Sequence, residues 1–111
     1  MFTNINQPKT ALILEDVVSE AVVVTRHLLQ LRPTHESSSL AITQLARALD
    51  SISTSAARAS ILWLVGQYYT QIPLVAPDTL RKAAKSFVTE SEPVKLQVLN
   101  LAAKLACKFA G

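Results

Sequence analysis

The stretch Ala57–Pro73, ARASILWLVGQYYTQIP, is the strongest constraint on what this chain can fold into. From Ala56 to Val65 nearly every residue is apolar or small, and Arg58 is the only charged side chain between Asp50 and Asp78. A helix of this composition has no face to offer water, so something must cover it on all sides. Either a membrane or other helices could do so. Residues 59–77 carry no formal charge, and 19 positions are nominally enough to cross a bilayer. Gln67, Gln71, Pro73 and Pro77 interrupt that span, and the dense apolar part is short. Runs of that length read as buried helices rather than membrane spans.

The rest of the chain supplies the neighbours. Glycine occurs only at Gly66 and Gly111, and no Asn-Gly or Asp-Gly hairpin signal is present, which argues against a β-rich fold. Five helical segments are predicted. The first runs over Glu15–Leu31, with acidic residues in its opening turn, Val17, Val18, Ala21, Val24, Leu28 and Leu31 at helical spacing, and Pro33 beyond its end. The second spans Ser37–Ser51, with a stripe of Ile42, Leu45, Ala46 and Leu49 opposite Thr43, Arg47 and Asp50. The third is Thr54–Gln71, capped by Ser53 or Thr54. The fourth covers Ala76–Val88, with Pro77 and Asp78 in its first turn, an apolar face of Leu80, Ala83, Ala84, Phe87 and Val88, and a wet face of Arg81, Lys82 and Lys85. The fifth covers Ser91–Phe109, where Thr89 and Glu92 match a capping box. Its polar residues keep to one strip, Gln97, Asn100, Lys104 and Lys108, so it expects neighbours on both flanks.

The first, third and fifth segments begin near 16, 55 and 92, so a two-helix unit recurs about every 38 residues. That periodicity predicts an all-α fold built of antiparallel helix pairs, an α-solenoid of the HEAT or armadillo type. In such a stack the third helix lies in the middle, which accounts for its apolar circumference. Arg58 is expected to be buried and bonded to a neighbouring turn or to an acid such as Asp50, because an unpaired buried charge is costly. Gly66 is expected to let an adjacent helix approach closely. Neither end carries a polar capping helix, so the terminal helices are expected to expose apolar surface.

Chemistry-bearing residues are sparse. His27 is placed on the first helix and His35 in a loop, neither with partners at metal-ligand spacing. Ser37, Ser38 and Ser39 read as a polar loop and cap. Cys107, the only cysteine, reads as a buried inert thiol, so no internal disulfide forms, which fits a reducing compartment. Trp63, Tyr68 and Tyr69 are read as core rather than as a base-stacking platform. No catalytic, cofactor-binding or metal-binding residue is assigned, and no cofactor is expected. The net charge of +3 is concentrated in residues 51–111, with seven basic and three acidic side chains. This is a solvated face or a contact for an anionic partner or membrane surface, and too little for a nucleic-acid binder. The opening MFTNINQPKT lacks the apolar core of a secretory signal.

Four stretches, AVVVTRHLLQ, ARASILWLVGQY, IPLVAPDTLRKAAKSF and VKLQVLNLAAKL, resemble the trunk of the beta-adaptins, in particular the adaptor-complex-three branch. The likeness runs from about Val17 to Leu105, leaving residues 1–12 and the tail from Ala106 outside it, and Gln67 stands where the family is expected to carry an acid. The resemblance implies a non-enzymatic, all-helical scaffold within a heterotetrameric vesicle coat, sorting cargo on the cytosolic face of Golgi and endosomal membranes. Its implied partners are the other adaptor subunits, with no nucleic acid or small-molecule substrate. The family trunk is several times longer, so a short trunk piece is expected: residues 1–14 as a poorly ordered N-terminal segment and 15–111 as HEAT-like repeats. The alternative is a generic HEAT-like interaction module outside vesicle transport.

Overall fold

The computed structural model describes residues 20, 22–23, 25–27 and 35–110. Residues 1–14 lie outside that range, as does most of the first predicted segment, including its whole apolar stripe. The residues of that segment that are described are helical, and the fully buried one among them is Val22, which the expected stripe omitted. Four helices follow: α1 (His35–Ala48), α2 (Ser55–Gln67), α3 (Val75–Lys85) and α4 (Glu92–Ala110). No strand occurs among the described residues.

Each helix forms where the sequence gives it a buried stripe. In α1 this is Ile42 and Ala46, continued by Leu49, all buried, with Leu45 partly buried and Arg47 exposed. α1 starts two residues earlier than expected, so His35 is helical and Ser37–Ser39 belong to its first turns, not to a loop. Serine's mild helix penalty is too small to delay the start. α2 follows Thr54, which holds an extended N-cap conformation without a capping side-chain bond. α4 buries Val94, Val98, Leu101 and Leu105 at helical spacing.

Three helical segments are shorter than predicted because their ends tighten into 3-10 turns at Leu49–Ser51, Tyr69–Gln71 and Phe87–Thr89. After α2 the cause is Pro73, which disfavours α-helical geometry at Ile72. After α3 the tightening changes the angular register, since a 3-10 turn holds three residues rather than 3.6. Phe87 still packs on the core, but Val88 swings out to 85% exposure and Ala84 is exposed too, so the expected apolar face of that segment is narrower. The expected capping box is also absent. Thr89 Oγ1 donates to Ser86 O (3.0 Å), and it is Ser91 that precedes α4, its carbonyl accepting from the Lys95 N–H (2.9 Å).

The helices form two layers. α2 lies against α4, its most extensive helix neighbour, and α1 lies against α3. α2 and α4 start 37 residues apart, and α1 and α3 start 40 apart, so the two-helix unit seen in the sequence is the unit of the stack. α2 is buried on nearly every side: Ala57, Ile61, Leu62, Leu64, Val65 and Gly66 are inaccessible, and only Ser55, Ala56 and Gln67 are exposed. The opening stretch is therefore a helix covered by helices.

Arg58 joins two turns that are one repeat apart. Its Nη1 donates to Leu49 O (2.7 Å) and Ile52 O (2.8 Å) in the α1–α2 turn. Its Nη2 and Nε donate to Glu90 Oε2 (2.5 and 3.2 Å) in the α3–α4 turn. Ser86 Oγ adds a third donor to the same oxygen (3.1 Å). The side chains of Arg58 and Glu90 are 13% and 12% exposed, which makes this a largely desolvated pair. The expectation of burial and of turn carbonyls as partners holds, while the acid is Glu90. Asp50 faces Lys82 at 3.9 Å instead. Breaking a buried pair strands the remaining charge, so Arg58→Ala is expected to cost about 3 kcal/mol. Arg58→Ala with Glu90→Ala together should cost less than the sum of the two single changes. Urea unfolding of the four chains checks this; strict additivity would show that the two groups are not coupled.

Candidate interaction surface

Among the described residues no group of three or more His, Cys, Asp or Glu side chains could hold a metal, and no helix is long and apolar enough to cross a membrane. His27 is exposed on its helix, and His35 stands at the head of α1. What the fold builds instead is surface, most of it on α4.

α4 has three distinct sides. The first is the buried row of Val94, Val98, Leu101 and Leu105. The second is an exposed apolar stripe of Leu96 and Leu99, each 56% exposed, continued by Ala103, Ala106 and Cys107. At about 100° per residue this stripe lies roughly opposite the buried row. Cys107 was expected to be buried, and it is not. It belongs to a face that has an apolar pattern but no neighbour among the described residues. The third side is the polar strip, which borders α2.

Where that strip meets α2, a cleft of about 220 Å³ opens between the helices, lined by Leu62, Trp63, Gly66, Gln97, Asn100 and Lys104 among others. Lys104 Nζ donates to Gly66 O (3.2 Å). Gly66 was expected to be needed for close helix approach, but a Cβ there would meet Lys104 and Leu101 side-chain atoms only at 3.8–3.9 Å, ordinary van der Waals distances. Its carbonyl, not its missing side chain, makes the contact. Trp63 carries the guanidinium of Arg26 over its ring at 4.0 Å, a cation–π contact from the preceding helix. Lys108 Nζ sits 5.6 Å from the Tyr69 ring centroid. Trp63, Tyr68 and Tyr69 are partly buried and pack on the core, in line with the core reading.

The cations of α3 are largely matched. Arg81 pairs with Asp78 (2.6 Å), and Lys82 lies between Asp78 (3.6 Å) and Asp50 (3.9 Å), leaving Lys85 exposed without an ion pair among the described residues. The hydrogen bond from Arg81 is the main cause that holds the Asp78 carboxyl below its ordinary value, with the charges of Arg81 and Lys82 in support. Asp78 therefore keeps its charge at lower pH than a free carboxylate, and its small contribution to the folded state fades only on further acidification.

The Leu96–Leu99 stripe is expected to make the isolated chain associate at higher concentration, as contiguous exposed apolar surface does. Leu96→Glu with Leu99→Glu should abolish that association without loss of helix content. Sedimentation velocity with circular dichroism checks it, and a wild-type chain that stays monomeric across the concentration range would contradict it.

Comparison with known proteins agrees with this architecture. The family model for the adaptin N-terminal region matches residues 12–111, which takes in the Ala106–Gly111 tail that the sequence resemblance left out. The chain is 54% identical over 91 residues to AP-3 complex subunit beta-1 of Mus musculus, a match that covers 82% of this chain. It is 50% identical over 68 residues to AP-3 complex subunit beta of Dictyostelium discoideum, covering 61% of this chain, and 38% identical over 93 residues to AP3-complex subunit beta-A of Arabidopsis thaliana, covering 80%. The chain spans only 6–9% of the length of these relatives. With a two-layer helical stack, an all-round buried central helix and a family match over nearly its whole length, the chain belongs to the adaptin N-terminal region family.

Proposed function

We propose that this chain is a non-enzymatic scaffold segment of a vesicle-coat adaptor complex, acting in intracellular protein transport and vesicle-mediated sorting. The observation that carries this reading is the 54% identity to an AP-3 beta subunit over 91 residues, 82% of this chain. Residues 15–111 form the repeat-bearing part and residues 1–14 an N-terminal segment apart from it. The segment works by helix-on-helix contact: α4 offers the next unit an apolar stripe opposite the side it already buries. Its partners are other adaptor-complex subunits, and its place is peripheral, on the cytosolic face of Golgi and endosomal membranes. Scaffolding of this kind calls for no cofactor, nucleic acid or small-molecule substrate.

A chimaera tests the scaffold role. When the matching segment of the Mus musculus AP-3 beta-1 subunit is replaced by this chain's, the hybrid should still co-purify with the other AP-3 subunits in amounts within about two-fold of the parent. A hybrid that is folded but fails to assemble would favour a generic HEAT-like module. Peripheral contact with anionic membrane belongs to the same reading and rests on the exposed Arg81 and Lys85 of α3. Each basic residue near such a surface is worth about 1 kcal/mol at most. Sedimentation with phosphatidylserine vesicles should show weak, salt-sensitive binding. Binding unchanged by Arg81→Ala, Lys82→Ala and Lys85→Ala together would reduce these residues to a solvated face.

A further inference from the structure

The cleft between α2 and α4 holds hydrogen-bonding groups that the scaffold does not use. Gln97 and Asn100 both line it, and neither side chain makes a hydrogen bond among the described residues. Each carboxamide offers a donor pair and an acceptor. Lys104 spends one of its three ammonium donors on Gly66 O. Among the described residues no acidic side chain lines the cleft; none occurs in α2, and in α4 only Glu92 in the first turn is acidic. Arg26 lies over the Trp63 ring at 4.0 Å, outside the cleft lining, and its Nε is buried without a partner among the described residues.

We infer that this cleft binds an extended, acidic segment of a partner polypeptide. Gln97 and Asn100 stand three residues apart on one helix face, about 5–6 Å between side-chain roots. An extended backbone presents groups to one side every second residue, about 6.6–6.8 Å apart. One carboxamide can thus engage one exposed peptide unit and its neighbour the next, each as donor and acceptor. The Trp63 ring supplies an apolar wall. Lys104, with no acid beside it, selects for a carboxylate on the bound segment. The cleft's volume of about 220 Å³ admits one side chain at a time and falls below the usual range for small-molecule sites, about 300–1,000 Å³. The inference does not depend on the coat reading.

The test uses the full 111-residue chain and a fluorescein-labelled decapeptide rich in Asp and Glu, followed by fluorescence anisotropy. A twin peptide with Asn and Gln in place of the acids, and vesicles containing phosphatidylserine, complete the set. The acidic peptide should bind at least ten-fold tighter than its amide twin. Gln97→Ala with Asn100→Ala should weaken it at least five-fold. Both replaced residues lack intramolecular partners and Ala favours the helix, so circular dichroism should be unchanged. Lys104→Met should erase most of the preference for acids. Equal binding of the two peptides would overturn the proposal. So would acidic-peptide binding untouched by the double variant, or a double variant that loses vesicle binding and not peptide binding.

Discussion

α2 has no side that can face water, and the rest of the molecule is arranged around that fact. Burying one Leu, Ile or Val side chain contributes about 1.5–3 kcal/mol. Ile61, Leu62, Leu64 and Val65 are all fully buried, so α2 gathers more of this stabilisation than any single face of a helix could provide. It can do so only if helices lie on both of its flanks and behind it. α4 takes one flank, Arg26 from the helix before α1 covers the Trp63 ring, and the α1–α3 layer closes the back. A stack with a repeat is the simplest arrangement in which a central helix meets an equivalent neighbour on either side.

Non-directional burial sets which faces meet, but it does not fix how far one unit is rotated or slid against the next. Arg58 does. A planar guanidinium with directed donors reaches two carbonyls in one turn and, in another, the carboxylate of Glu90, 32 residues beyond Arg58 itself. Those carbonyls bracket the 3-10 turn after α1: Leu49 opens it, its oxygen also accepting from the Ile52 N–H (3.2 Å), and Ile52 closes it as the C-cap. One side chain thus satisfies a helix terminus and sets the register of the next unit. The Ser39 Oγ to Gln71 O bond (3.3 Å) ties α1 to the turn after α2 in a similar, weaker way.

Much of this was legible in the sequence, and the failures share a cause. The burial of α2, the repeat and the pairing of Arg58 follow from composition and spacing, which local chemistry dictates. Glu90 could not be named as the partner, because it sits in a turn with no pattern that links it to residue 58. Val88 was misplaced because a shift from 3.6 to three residues per turn cannot be seen in an apolar pattern that runs through the junction. The cleft depends on the alignment of Gln97 and Asn100 with Trp63 across two helices, which no single segment encodes. Within α4 they read only as a solvated strip.

Cys107 is the most instructive error. An apolar pattern says that a face is built to be covered; it does not say that the cover is at hand. Leu96, Leu99, Ala103, Ala106 and Cys107 carry the pattern and are exposed, whereas Val94, Val98, Leu101 and Leu105 carry it and are buried. The two rows lie about half a turn apart, which is the geometry of a helix with a neighbour on each side. α2 shows the same arrangement with both neighbours present. α4 is therefore to a further unit what α2 is to α4, and its exposed row is the continuation of the stacking rule that the rest of the fold already obeys.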